Sequence, residues 1–130
     1  MEVIVNSPIN PNDVFRLIDS GTAGSVVFHY AVVRAATEGK TMDSIEFRMA
    51  GDIEDCLREL QGLSDEIRTG WEVDDVLLIR ATGKLKAGDV MSLVAVSSPH
   101  RQAAFGACSY GVERLKQMKT IAKHEVFSID

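Results

Sequence analysis

The chain has 130 residues, 45% of them hydrophobic and 25% charged, with a formal net charge of −5 at pH 7. This length and composition predict one domain, residues 1–130, that is large enough to bury a core. The acidic balance excludes a general nucleic-acid binder, because such proteins need a basic face. Any anion-binding site must therefore be a local cluster of Lys, Arg and His.

The sequence also predicts the compartment. No apolar run approaches the roughly 20 residues of a membrane span, and the N-terminus lacks a basic segment followed by an apolar one. Cys56 and Cys108 lie in helical patterns among apolar neighbours, which is typical of buried small hydrophobes. We therefore expect a cytoplasmic protein with neither a metal site nor a bound cofactor.

The first half of the chain combines strands with one helix. Residues 2–6 are a candidate strand, and Asn10 before a proline is typical of a helix N-cap. Residues 25–34 are dense in β-branched and aromatic side chains, so they are predicted to form a strand. Residues 42–49 are predicted to pair with it as a hairpin. His29, inside the earlier strand, is expected to be a hydrogen-bonded structural residue.

The second half predicts two helices separated by strands. Asp52 is typical of an N-cap for a helix with periodic apolar residues, and 75–82 and 90–97 are predicted strands joined by a turn. A helix is predicted over 98–119 and a last strand over 120–129. Small side chains on one face of that helix predict close approach by another element: Ala104, Ala107, Cys108 and Gly111. The order βαββαββαβ predicts an α+β fold with mostly antiparallel strands and about three helices.

The start of the helix over 98–119 carries unusual charges. Ser98 is a good N-cap and Pro99 a good first helical residue. His100 and Arg101 then place cationic side chains at the positive end of the helix dipole, where anionic ones are favoured. A bound anion would explain this pattern, because free N–H groups would converge with both side chains. The alternative is that both side chains bend away into solvent.

Other site types are missing from the sequence. It contains no glycine-rich phosphate loop, no CxxC, no HExxH and no GxSxG motif. The remaining candidates are cationic, namely Arg34, His100, Arg101, Lys116 and Lys123. Such a set suits a phosphorylated substrate, and a lysine amine can act as nucleophile or base.

The helix rise separates these candidates. At 1.5 Å per residue, His100 and Lys116 would lie about 24 Å apart along one helix. One subunit cannot place both on the same small ligand, whereas a two-fold dimer can. The spacing therefore predicts a site shared across a homodimer interface.

Four motifs in register resemble the large (catalytic) subunit family of molybdopterin synthase. They are Val33-Arg34 after a strand, Gly83-Lys84-Leu85, the run from Ser98 to Arg101, and Lys116 followed seven residues later by Lys123. The resemblance covers roughly residues 24–125. It departs from the family pattern at several positions, including Ala31 in place of a glycine and Arg80-Ala81-Thr82 in place of a His-Arg pair before the glycine. The sequence ends at Asp130, before a basic segment that the family places near the neighbouring site.

The resemblance implies an α/β-hammerhead type of α+β fold and a dimeric subunit. A small ubiquitin-like sulfur carrier would insert its C-terminal Gly-Gly thiocarboxylate into each subunit, giving a heterotetramer. Two sulfurs would then pass to cyclic pyranopterin monophosphate to make the molybdopterin dithiolene. By position, Lys116 and Lys123 would be catalytic, and Arg34, His100 and Arg101 would bind the substrate.

Two other readings of the sequence stay open. One is a non-catalytic dimeric relative that binds a ubiquitin-like tail or a phosphorylated ligand. The other is an unrelated phosphate-binding enzyme.

Overall fold

The computed structural model of the chain describes residues 1–19, 21, 23–37 and 40–127. Over these residues the strands are β1 (Glu2–Val5), β2 (Ser25–Val32), β3 (Ala36–Thr37), β4 (Lys40–Met49), β5 (Asp75–Ala81), β6 (Gly83–Leu85), β7 (Val90–Ser98) and β8 (Ile121–Phe127). The helices are α1 (Pro11–Val14), α2 (Ile53–Gly70) and α3 (Arg101–Lys116). The predicted α+β class, with mostly antiparallel strands and three helices, is confirmed. None of the helices in these ranges combines the length and apolar character needed to cross a bilayer.

The strands form two sheets. In the first, the order is β1-β5-β7-β2, with β1 parallel to β5 and the other pairs antiparallel. In the second, β4 pairs with β3, β6 and β8, all antiparallel. The predicted pairing of 75–82 with 90–97 is therefore confirmed as β5 and β7.

The predicted hairpin between 25–34 and 42–49 is wrong, because its two strands lie in different sheets. β2 pairs with β7, whereas β4 pairs with the short strand β3 that precedes it and with β6 and β8 that follow it. The reason lies in β7, which is buried from Ser92 to Ser98 and so needs a neighbour on each side. β5 takes one side of β7 and β2 the other, which leaves β2 at the edge of the first sheet.

Two apolar clusters fill the space around the first sheet. Alternate residues of β5 point to opposite faces, so Val76 and Leu78 join a cluster with α2 and α3. Leu77 and Ile79 join a second cluster that includes residues of β4, β6 and β8. Burial on both faces makes β5 and β7 the centre of the fold.

Helix α3 lies close to the first sheet. A Cβ atom added at Gly111 would lie 3.0 Å from Val94 Cγ1 and 3.2 Å from Ile67 Cδ1. The prediction of close approach to the small-residue face is confirmed, and the approaching elements are β7 and α2. This contact fixes where the C-terminal end of α3 lies over the sheet.

Both cysteines have the character that the sequence predicts. Cys56 and Cys108 are buried and free. Burial raises the pKa of the Cys108 thiol to about 11, which keeps it protonated and unreactive near neutral pH.

Candidate functional site

A cleft of about 770 Å³ opens between the two sheets, beside the C-terminal end of α3. Residues of β2, β4, β5, β7, α3 and β8 line it. Its charged lining residues are all cationic: Arg34, Arg80, Lys116 and Lys123. No Asp or Glu is among the described residues that line it. On a chain with a net charge of −5, this is the local concentration of positive charge that an anion site requires.

Small side chains explain why the cleft exists. Ala31 of β2 pairs with Ser92 of β7, and Ser92 pairs with Arg80 of β5, so the three form one row across the sheet. The neighbouring row carries His29, Val94 and Leu78. The side chains of Ala31 and Ser92 are short, and α3 ends at Lys116. The row of Ala31, Ser92 and Arg80 is therefore not fully covered by α3, and it lines the cleft.

Three of the five predicted site residues meet at this cleft. Arg34 follows β2 and is exposed, Lys116 is the last residue of α3, and Lys123 lies in β8 opposite Phe47 of β4. All three line the cleft. The structure thus brings together side chains that are up to 89 positions apart in the sequence, from Arg34 to Lys123.

The other two predicted residues lie elsewhere. His100 and Arg101 are exposed at the opposite end of α3, and neither lines the cleft. One uninterrupted helix separates them from Lys116, so the separation of about 24 Å expected from the helix rise is retained. Within one subunit, these two side chains do not reach a ligand held by Lys116.

The predicted start of α3 is wrong by two residues, since the N-cap is His100 and not Ser98. The helix begins at Arg101 with His100 as N-cap, and the His100 side chain makes no capping hydrogen bond. Ser98 remains in β7 because it still pairs with Ser25 of β2. Its hydroxyl donates to Glu72 O at 2.8 Å and accepts from His100 N at 3.2 Å. Ser98 therefore anchors the strand end ahead of the helix.

Arg80 and His29 are cleft residues that sequence reasoning missed. His29 was expected to be hydrogen-bonded, but its buried Nδ1 has no partner among the described residues, so that expectation is wrong. Arg80 is only 8% exposed, and burial lowers the pKa of its guanidinium to about 10. The available signal was a single arginine inside the apolar strand that runs from Val76 to Ala81.

A residue of α2, Glu59, forms hydrogen bonds with the turn between Lys116 and Lys123. Glu59 accepts hydrogen bonds from Lys119 N at 2.8 Å, from Thr120 N at 3.0 Å and from the Thr120 hydroxyl. Burial alone would raise the pKa of the Glu59 carboxyl, but these bonds outweigh it and the pKa is lowered. Glu59 thus positions the turn that joins Lys116 to Lys123.

Replacing Glu59 with Gln should loosen this turn. An amide oxygen accepts fewer of the three hydrogen bonds, so we expect a loss of about 1–3 kcal/mol in the free energy of unfolding at pH 7. Because the folded-state pKa is lowered, the contribution of Glu59 is present above its unfolded pKa and is lost as pH falls through the folded value. Denaturant unfolding at pH 7 and at pH 3 should therefore show the gap between Glu59→Gln and wild type shrinking in acid.

The matched control for this test is Glu54→Gln. Glu54 is exposed in the first turn of the same helix, and its only expected effect is a helix-dipole term of up to about 1 kcal/mol. Equal losses in the two variants, or an acid-independent loss at Glu59, would contradict a positioning role for Glu59.

Comparisons with known proteins give one consistent result. The profile of the family described as "MoaE protein" matches residues 4–118. The molybdopterin synthase catalytic subunit of Nostoc sp. is 32% identical over 123 residues, which are 94% of this chain and 73% of that protein. A solved molybdopterin synthase from Staphylococcus aureus superposes with a TM-score of 0.87 at 30% identity, covering 98% of this chain and 91% of that one.

A further solved structure shares the fold alone. It is the complex of subunits 1 and 2 of molybdopterin-converting factor from Helicobacter pylori, with a TM-score of 0.73 at 11% identity. The match covers 99% of this chain and 90% of that one.

Proposed function

The chain belongs to the MoaE protein family, and from that membership we propose that it is the catalytic subunit of a molybdopterin synthase. In this reaction sulfur passes from the thiocarboxylate of a small subunit to cyclic pyranopterin monophosphate. The observation that carries the proposal is the cationic cleft, in which Arg34, Lys116 and Lys123 converge on an otherwise acidic chain. Such a cleft suits two anions, the substrate phosphate and the thiocarboxylate.

The lysines and arginines have different tasks in this proposal. Lys116 and Lys123 lie on either side of the turn held by Glu59, and they act on the thiocarboxylate as nucleophile or acid–base groups. Arg34 lies at the exposed mouth and binds the substrate phosphate. The reaction converts two thiocarboxylates to carboxylates, with water supplying the oxygen, for each dithiolene formed.

His100 and Arg101 enter the site from a second copy of the chain. Their exposure and their distance from Lys116 suit residues that complete a neighbouring cleft across a homodimer. The phosphate would then be held by Arg34 of one subunit together with His100 and Arg101 of the other.

The partner is a small ubiquitin-like sulfur carrier with a C-terminal Gly-Gly thiocarboxylate. The Helicobacter pylori protein of the same fold is a complex of two subunits, which supports a heterotetramer built on a dimer of this single-domain chain. The two free cysteines among the described residues suit a reducing compartment, and we place the reaction in the cytoplasm.

The test is to mix the chain with a thiocarboxylated small subunit and the sulfur-free precursor, and to assay for the dithiolene. Turnover is expected for a catalytic subunit. Tight binding of the small subunit without any dithiolene would instead identify a non-catalytic dimeric relative.

A further inference from the structure

Arg80 occupies a position that normally holds an apolar residue. It lies in the central strand β5, paired with Ile4 of β1 on one side and Ser92 of β7 on the other. Its side chain is 8% exposed, and Leu78, two residues earlier on the same face, is completely buried. Arginine is rarely buried to this extent unless a carboxylate or another acceptor pairs with it.

No such partner is present for Arg80 in the described part of the chain. Its buried Nε has no hydrogen-bond acceptor there, and no carboxylate of a described residue forms an ion pair with it. Its one aromatic contact is with Phe47, whose ring centroid lies 4.2 Å from Cζ. A desolvated cation without an acceptor is unfavourable for folding, so this arrangement points to an anion that arrives from outside.

The guanidinium also has hydrogen-bond donors that suit an oxyanion. A guanidinium that packs over a ring face keeps its N–H groups in its own plane, where a planar oxyanion can accept two parallel hydrogen bonds. Arg80 lines the same cleft as Lys116 and Lys123, and His29 adds a second buried, unpartnered nitrogen there. The cleft therefore has a preformed donor set at its floor.

The two anions of the proposed reaction, the substrate phosphate and the thiocarboxylate, would bind at different depths in the cleft. Arg34 is exposed at the mouth, where a strongly hydrated phosphate is bound at the smallest desolvation cost. Arg80 is buried and lines the cleft, whose lining also includes the apolar residues Ala31, Met91 and Val112. An extended Gly-Gly tail is narrow enough to enter between such residues. Its terminal carboxylate or thiocarboxylate can accept two parallel hydrogen bonds from the planar guanidinium of Arg80.

We propose that Arg80 binds the terminal thiocarboxylate of the partner's tail, and the carboxylate left after transfer, and so holds the tail end beside Lys116 and Lys123. This inference rests on the proposed function for the identity of the tail. The binding step involves no covalent change.

The test follows the Nε–H signal of Arg80 by NMR in the full chain. The probes are an acetylated pentapeptide ending in Gly-Gly with a free carboxylate, the same peptide as an amide, and inorganic phosphate. Loss of the signal in Arg80→Lys identifies it. We expect the carboxylate peptide to shift this signal, and we expect the amide and phosphate to leave it in place.

The affinities provide a second readout. Arg80→Met removes an unpaired buried charge and keeps an unbranched side chain as far as the position of Nε, so it should fold, and thermal unfolding checks this. We expect it to bind the carboxylate peptide about tenfold more weakly than wild type does, with a smaller preference over the amide than wild type has. Phosphate binding should be unchanged, because Arg34 remains.

Three results would overturn the inference: equal shifts with carboxylate and amide, no shift with either peptide, or a shift with phosphate alone. The last would assign the substrate phosphate to Arg80. Because these experiments measure binding, their result is independent of the result of the sulfur-transfer assay. If dithiolene forms but the Arg80 signal does not respond to the peptide, the proposed function is retained and the binding inference fails. If the Arg80 signal responds but no dithiolene forms, the binding site is retained and the proposed function fails.

Discussion

Replacing Lys116 with Ala is expected to lower the rate of dithiolene formation by about 100-fold or more, with folding and dimerisation unchanged. Lys116 is the exposed last residue of α3, so removing its side chain forfeits only a helix-dipole interaction of up to about 1 kcal/mol. Lys116 lines the cleft in which we propose that the thiocarboxylate binds. The measurement is kcat with saturating thiocarboxylated partner, beside thermal unfolding and the molar mass in solution.

The matched control is Lys119→Ala. Lys119 carries the same charge three residues further along, but it lines a different surface depression together with Asp55 and Glu59. We expect kcat within about twofold of wild type, since only its backbone N–H, which the substitution retains, bonds to Glu59. Equal losses at both lysines would indicate a general charge effect, and full activity of Lys116→Ala would remove Lys116 from the chemistry.

Two inactive variants should restore activity to one another if the site is shared between subunits. A heterodimer of Lys116→Ala and Arg101→Ala keeps one cleft in which Lys116 of one chain faces Arg101 of the other. With one of its two sites intact, the purified heterodimer should have about half of the wild-type rate, while each variant homodimer has almost none. Co-expression with two different tags isolates the mixed species for this assay.

The control pairs Lys116→Ala with Lys123→Ala. Both lysines line the cleft of one chain, so every cleft of that heterodimer lacks one of them and activity should not return. Recovery in this control would show that Lys116 and Lys123 serve different clefts, which contradicts their placement in one chain's cleft. No recovery in the Lys116–Arg101 pair would place Arg101 outside a site shared between subunits.

Local sequence signals predicted the strands and helices better than they predicted which strands pair with one another. The β-branched residues of β2 and Asp52 as an N-cap predicted a strand and a helix correctly, because both signals depend on neighbouring residues. The partner of β2 depends instead on β7, whose paired residues are 58 to 73 positions away and which needs strands on both sides. The helix start at Arg101 was missed for a similar reason, since sheet pairing keeps Ser98 extended.

The residues of the candidate site differ in the same way: some could be predicted from local motifs, and others depend on how distant strands pair. Arg34, Lys116 and Lys123 were identified through motif spacing, which the family resemblance preserves. Arg80 and His29 belong to the site only because β2, β7 and β5 align their rows beneath the end of α3. Single residues in apolar strands do not show this alignment until the register is known.

The most direct test of the account is a single-turnover reaction of wild-type chain, thiocarboxylated small subunit and sulfur-free precursor. Mass spectrometry follows the tail while fluorescence or chromatography follows the dithiolene. We expect tail carboxylate and dithiolene to appear together, with two tails converted for each dithiolene, and both to depend on the presence of the chain. Tail hydrolysis without dithiolene, or an intact thiocarboxylate after prolonged incubation, would contradict it.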